Sequence, residues 1–173
     1  MAVSELDMQV LIVGTGGQGV VLMASVLSEM ASLVYGKVIT SETHGMAMRG
    51  GSVKASVKMG DYSSPLIPSG SADVLVGLDS MEARNHMYIL SPKGISIVNT
   101  PELGGFDYTI DAAGIALREN LSGALNMIML GLFLKVSGSG LGLKEAISVV
   151  RDLSPPRYRE DNIRALNLGF SFA

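Results

Sequence analysis

The segment Val13-Gly14-Thr15-Gly16-Gly17-Gln18-Gly19-Val20 constrains this chain more than any other, because it places four glycines within six residues at a change of pattern. Before it, Gln9-Val10-Leu11-Ile12-Val13 is a short unbroken apolar run, the pattern of a strand buried on both faces. After it, Val20 to Val34 carries Leu22, Val26, Leu27, Met30 and Leu33 near helical spacing, and Gly36 supplies a stop. Lys37-Val38-Ile39-Thr40 then reads as a second strand. The spacing predicts a strand–turn–helix–strand unit with a right-handed crossover and two parallel strands.

The turn itself fits G-x-G-x-x-G. Gly14 lets the chain leave the strand tightly, Gly16 admits a phosphate or another backbone, and Gly19 allows close helix–strand packing. The helix start offers free N–H groups and the positive end of a dipole. Gln18 is expected to project from that start toward a ligand or a neighbouring subunit, and Glu42, closing the second strand, stands where a ribose would be held. The plainer reading is that these glycines, Gly17 included, only make a tight strand–helix turn.

Farther along, Ser52 to Met59 alternates Val53, Ala55, Val57 and Met59 with Ser52, Lys54, Ser56 and Lys58, predicting an antiparallel or edge strand with one wet face. Tyr62 to Ser71 holds Pro65, Pro68 and Gly70 and reads as loop. Asp73–Leu78 and Ile95–Asn99 repeat the buried-strand pattern, and Tyr108–Ile110 is a short last strand. A helix over Met81–Leu90, capped by Asp79 or Ser80, is ended by Pro92 and Gly94. From Asp111 onward the chain turns helical, with predicted helices over Asn120–Val136, Leu143–Leu153 and from Pro156 to about Leu168. The expected fold is one α/β domain over residues 1–173, in three layers: a mostly parallel, Rossmann-like sheet, one antiparallel strand and a helical C-terminal part.

The second unusual stretch, Thr40 to Ser52, crowds Ser41, Glu42, Thr43, His44 and Arg49 among Gly45, Gly50 and Gly51, just past the end of a strand, where α/β sheets place ligands. A loop needs no such composition merely to connect strands. Taken singly, His44 can satisfy a loop carbonyl and Arg49 can pair with Glu42. His86, after Arg84 and Asn85, is expected at the surface, and Met127, Met129, Leu130, Leu132 and Leu134 are expected in the core or at a subunit interface.

Composition removes several chemistries. There is no cysteine, hence no disulfide, no thiolate nucleophile and no Cys ligand for an iron–sulfur cluster or zinc. Two histidines rule out a multi-histidine metal site. A net charge of -3 with scattered Lys and Arg argues against nucleic acid. Ser4, Glu5 and Asp7 spoil a signal peptide, and the longest apolar stretch, Ala124–Leu134, falls short of the roughly 20 residues of a membrane span. A cytoplasmic location is expected. The chain is 47 % hydrophobic with 17 % charged residues and eleven Met, which suggests that a partner covers part of its surface.

Gly14-Thr15-Gly16-Gly17-Gln18-Gly19 resembles the GxGGQG turn of the gamma-type subunits of 2-oxoacid:ferredoxin oxidoreductases, and Thr40 to Ser52 resembles the TSExHGMxQRGGSV element of the indolepyruvate branch, whose small subunit is called beta. Ser64-Pro65-Leu66-Ile67-Pro68, Ala72-Asp73-Val74-Leu75 and Asn126-Met127 before Leu130-Gly131 are similar too, so the likeness spans nearly the whole chain. One departure is Met48, where that branch usually has Gln.

The resemblance implies an accessory subunit without catalytic residues of its own. Its partner would be a large, alpha-type catalytic subunit carrying thiamine diphosphate, magnesium and iron–sulfur clusters. Such complexes decarboxylate a 2-oxoacid, here an aryl pyruvate, pass electrons to ferredoxin and form an acyl-CoA. This chain would frame the active site or the CoA approach, with no cofactor bound by it alone; pairing with a second copy of itself is also compatible. It has no GDG…N segment for a magnesium diphosphate site. On this reading the glycine turn and the Ser41–Gly51 loop face the large subunit. The alternatives are a free-standing NAD(P) oxidoreductase built on Gly14, Gly16, Gly19 and Glu42, or a nucleotide-binding module without chemistry.

Overall fold

Strand β1 (Met8–Thr15) lies near the middle of the sheet and is buried through Gly14. The computed structural model describes residues 7–46, 50–121 and 123–172. On one side β1 pairs in parallel with β4 (Ala72–Gly77), followed in parallel by β5 (Leu90–Asn99) and β6 (Tyr108–Ile110). On the other side it pairs antiparallel with β3 (Ser52–Met59), which pairs antiparallel with β2 (Val38–His44) at the edge. The order is β2-β3-β1-β4-β5-β6, and β3 alone runs against the rest. The mixed, mostly parallel sheet with one antiparallel strand matches the sequence reading.

The neighbour relations correct that reading in one respect. Strands β1 and β2 point the same way but do not pair, because β3 is inserted between them. A short return after β2 brings β3 back against β1, where Val53, Ala55, Val57 and Met59 pack under helix α1 (Val20–Tyr35).

The expected wet face of β3 survives only in part, with Ser52 and Lys54 half-buried and the other half covered. Ser56 and Lys58 are 8 % and 5 % exposed, covered by the loop over residues 61–70. Ser56 Oγ donates to the Pro65 carbonyl at 2.8 Å, and Lys58 Nζ donates to the Leu66 carbonyl at 2.9 Å while lying 4.4 Å from the Tyr62 ring centre. Burial pushes the Lys58 ammonium below the usual lysine range. A polar side chain is as well satisfied by a loop carbonyl as by water, so alternation alone did not distinguish the two.

Helix α2 (Ser80–His86) is capped by Asp79, whose Oδ1 accepts from the Glu82 N–H at 3.0 Å. It ends sooner than the sequence suggests: a 3₁₀ turn covers Met87–Ile89 and β5 starts at Leu90, running through Pro92 and Gly94. The pairing register of β4 and β5 shifts there, which accommodates a proline. A further helix, α3 (Ala112–Arg118), is distinct from α4 (Leu125–Val136), so the predicted start at Asn120 is too early; Asn120 sits at φ 56 in the break. Helix α5 (Leu143–Leu153) is as predicted, and α6 (Arg159–Ser171) follows a 3₁₀ turn at Pro156–Tyr158.

The main core joins the α1 face of the sheet to α1, α3 and α4 and extends to α5 and α6, which contribute Ala146, Val150, Ala165 and Leu166. Met127, Met129, Leu130, Leu132 and Leu134 belong to it, as expected. Helices α4 and α6 cross backbone to backbone at Gly131 and Gly169, where any Cβ would run into the carbonyls of Leu166 and Ile128. A smaller cluster under α2 and the loop over 61–70 holds Leu11, Val13, Leu75, Ala83, Ile89 and Val98. No helix among the described residues is long and apolar enough to cross a membrane.

Candidate functional site

The glycine turn and the β2–β3 hairpin form one surface. Gly16 N–H donates to the Gly51 carbonyl at 3.0 Å, and Gly45 N–H donates to the Ser52 carbonyl at 2.7 Å, closing the hairpin. Gly19 is the N-cap of α1 in the left-handed region, at φ 83 and ψ 28. That conformation, and the side chain of Asn126 where a Cβ would sit, both require glycine. Asn126 is 2 % exposed; its Nδ2 donates to the Gly19 carbonyl at 3.2 Å, and its Oδ1 accepts from Met127 N–H at 3.0 Å. The first turn of α1 is thereby fixed to the first turn of α4.

Gln18 is placed otherwise than the sequence suggests. Its side chain turns inward: Oε1 accepts from Thr15 N–H at 2.7 Å, and Nε2 donates to the Leu78 carbonyl at 3.3 Å. The same carbonyl accepts from Asn99 Nδ2 at 2.9 Å, while Leu78 N–H donates to Val13. Both polar ends of the Gln18 amide are therefore engaged within the chain, where they hold the turn against the end of β4.

The second cluster is partly strand. Ser41, Glu42, Thr43 and His44 lie in β2, which extends to residue 44, and Gly45, Gly50 and Gly51 lie beyond it in the connection. Register puts Glu42 opposite Ala55 and His44 opposite Val53, on the α1 face, whereas Ser41 opposes Ser56 on the other face. These side chains do not converge. His44 Nε2 is 3.9 Å from Glu42 Oε2 with both groups exposed, a contact of little energetic weight. Arg49 lies outside the described residues. Gly50 is exposed and Gly51 half-buried.

His44 and Val53 join Thr15, Gly16, Gly17, Gly19, Val20 and Val21 around a shallow cavity of about 370 Å³ at the start of α1. Met46, fully exposed, and Met81, 65 % exposed, give this end of the molecule an apolar character. The insertion of β3 weighs against a dinucleotide site. In the two-strand arrangement that the fingerprint serves, the carboxylate closes the strand beside the turn. Here Glu42 is one strand farther away, about 10 Å from β1 at two strand spacings. The Gly16 N–H, moreover, is already engaged by Gly51.

His86 is not a surface residue: its side chain is 12 % exposed. Its Nδ1 is 2.8 Å from the Glu82 carbonyl and 3.8 Å from that residue's carboxylate, and its ring stacks beside Tyr88. Glu82 accepts from Ser52 Oγ at 2.6 Å. Glu82 and Asn99 escaped the sequence reading because nothing local marks them; Asn126 was visible only as part of the family likeness. Among the described residues no group of three or more His, Cys, Asp or Glu side chains gathers to hold a metal.

Residues 9–172 match the family model described as pyruvate ferredoxin/flavodoxin oxidoreductase. The chain is 28 % identical to the indolepyruvate oxidoreductase subunit IorB of Archaeoglobus fulgidus, over 97 % of this chain and 96 % of that one. It is 27 % identical to the 2-oxoglutarate synthase subunit KorC of Methanothermobacter thermautotrophicus, over 95 % and 94 % of the two chains. The crystal structure of the pyruvate oxidoreductase subunit PORC of Thermotoga maritima superposes with a TM-score of 0.78 at 28 % identity, over 95 % of each chain.

Proposed function

The chain belongs to the pyruvate ferredoxin/flavodoxin oxidoreductase family, as a gamma-type subunit of a 2-oxoacid:ferredoxin oxidoreductase complex, and from that premise we propose that its glycine-turn face closes against a large catalytic subunit acting on indolepyruvate or another aryl pyruvate. One observation carries this reading: the two glycine-rich segments are hydrogen-bonded into a single surface of glycines and mostly apolar side chains, on which the one acid–base contact among the described residues, Glu42 with His44 at 3.9 Å, is exposed and weak. Such a surface can position and exclude water; it has no cysteine, and its described residues gather no metal-binding cluster with which to move electrons.

Iron–sulfur clusters do not fit this chain, which lacks every cysteine that they require. On this proposal the clusters reside in the large subunit, which passes electrons to ferredoxin, and thiamine diphosphate lies with them. The cavity beside Gly16, Gly17 and His44 frames one wall of the shared cleft, on the side where CoA approaches. A wall of glycines and small apolar side chains offers little with which to tell one substrate side chain from another. Selection among aryl pyruvates, pyruvate and 2-oxoglutarate is therefore assigned to the large subunit.

The test is co-expression with the large subunit, followed by CoA-dependent ferredoxin reduction with indolepyruvate, pyruvate and 2-oxoglutarate. Turnover by the pair, fastest with indolepyruvate, and none by this chain alone is the expected result. Turnover by the isolated chain would overturn the accessory role, and a preference for 2-oxoglutarate would overturn the substrate assignment. Calorimetric titration with NAD(H) and NADP(H) should release no heat; tight binding would favour the free-standing oxidoreductase instead.

A further inference from the structure

The hydrogen bonds around the glycine turn close into a ring. Gly16 N–H reaches the Gly51 carbonyl; the chain passes to Ser52, whose Oγ donates to Glu82 Oε2; Glu82 N–H reaches Asp79 Oδ1. Asp79 follows Leu78, whose carbonyl accepts from Gln18, and Gln18 accepts from Thr15 N–H, the residue before Gly16. One link in this ring joins side chain to side chain: Ser52 to Glu82, at 2.6 Å. It is a short hydroxyl-to-carboxylate bond, stronger than a neutral one. It is also the hydrogen bond that ties the glycine-rich end of the hairpin to α2.

We propose that Glu82 is the positioning residue of this surface: through Ser52 it holds the β2–β3 hairpin over the glycine turn, and it does so without touching whatever docks there. The inference rests on the reading of this face as the docking face of the subunit. Glu82 suits the task because its own place is fixed from several sides. Its N–H is capped by Asp79, its carbonyl meets His86 Nδ1 at 2.8 Å, and the carboxylate oxygen facing Ser52 lies 3.8 Å from the same imidazole. Its side chain is only 15 % exposed, so water competes weakly for the carboxylate. The ladder of β3 with β1 and β2 holds the hairpin up to Ser52 and His44; beyond it, without the Glu82 anchor, Gly45, Gly50 and Gly51 let the end of the hairpin explore conformations that a docked partner would have to suppress, at a cost in binding.

Amide hydrogen exchange on the full chain, read by NMR at Gly16 and Gly45, tests this directly. Ser52→Ala and Glu82→Ala should each speed exchange at both amides by about tenfold or more, the equivalent of one charge-assisted hydrogen bond. Glu82→Gln still accepts from the Ser52 hydroxyl and should recover most of the protection. The Ser52→Ala/Glu82→Ala double variant should exchange no faster than either single one. Unchanged protection in Ser52→Ala, or additive effects in the double variant, overturns the proposal. Ser52→Ala keeps the test decisive even if Glu82→Ala unsettles α2. In the reconstituted complex, Ser52→Ala and Glu82→Ala should each lower turnover, whereas Glu82→Gln should retain most of it. If the wild-type pair shows no turnover, the docking reading fails, while amide exchange still decides the role of Glu82.

Discussion

Replacing Gly19 by alanine tests the junction between the first turns of α1 and α4, and Gly17 supplies the matching control. Both glycines have positive φ, 83 at Gly19 and 93 at Gly17, so an alanine at either one pays the left-handed penalty of about 1–2 kcal/mol. They differ in surroundings. A Cβ on Gly17 meets no described atom within 4 Å, whereas one on Gly19 runs into the Asn126 amide. Asn126 must then leave its rotamer at about 1 kcal/mol and give up its bond to the Gly19 carbonyl at about another 1 kcal/mol. Gly19→Ala should therefore cost about 3–4 kcal/mol against about 1–2 kcal/mol for Gly17→Ala. At about 2–4 °C per kcal/mol for a domain of this size, Tm falls by about 10 °C in the first and about 4 °C in the second. Thermal unfolding by circular dichroism measures both. In an Asn126→Ala background the extra cost at Gly19 should vanish, leaving a coupling of about 2 kcal/mol. Equal losses at the two glycines, or a Gly19 penalty that survives removal of the Asn126 amide, would refute this account of the junction.

Three further outcomes are expected. Gln18→Ala should destabilise the isolated chain by about 1–3 kcal/mol, because Thr15 N–H and the Leu78 carbonyl each lose a partner; an unaltered urea midpoint would mean that Gln18 serves a ligand instead. Hydrogen bonds from Ser96 N–H and Oγ hold the Asp107 carboxyl below the usual carboxylate range, so its stabilisation is complete above the unfolded value of about 3.9 and is lost as pH falls through the lower folded value. Ser96→Ala should weaken that dependence, and urea midpoints between about pH 2 and pH 6 that stay parallel to wild type would contradict it. Lys58→Met keeps the buried stem but loses the Leu66 carbonyl and the Tyr62 ring, so limited proteolysis should cut the loop over 61–70 faster than in wild type, and equal rates would show that the loop is held by other contacts.

What the sequence revealed were features set by neighbours along the chain. The strand–turn–helix from Gln9 to Val34, the buried strand near Asp73–Leu78 and the amphipathic Leu143–Leu153 helix were legible because apolar period, caps and glycines are local signals. What escaped depends on partners far away. Nothing around Ser52–Met59 announces that the strand slips between β1 and β2, and the alternation of Ser56 and Lys58 looks the same whether water or the carbonyls of Pro65 and Leu66 receive it. The direction of Gln18 is settled by a carbonyl 60 positions later, and the importance of Glu82 by a hydroxyl 30 positions earlier. Two glycine-rich segments stood out in the sequence as unusual; that they are one surface was visible only once Gly16 met Gly51.

The inserted strand changes what such a turn can be used for. With a parallel strand beside it, a glycine turn of this kind keeps its N–H groups for a phosphate and finds a carboxylate at hand for a ribose. Placing β3 there substitutes the hairpin's own carbonyl for the phosphate at Gly16 and moves Glu42 one strand outward. The turn is thereby converted from a pocket that waits for a small anion into a rigid, partly self-satisfied backbone edge. Among the described residues, what remains outward is mainly Gly16, Gly17, Gly45, Gly50, His44 and Met46, with Glu42 the one carboxylate beside them: adaptable and low in charge. Surfaces of that composition pay little desolvation when another polypeptide covers them, whereas a free-standing cofactor site needs charge and converging polar groups. The physical economy of the site thus favours a protein partner over a nucleotide, and it does so through the position of a single antiparallel strand.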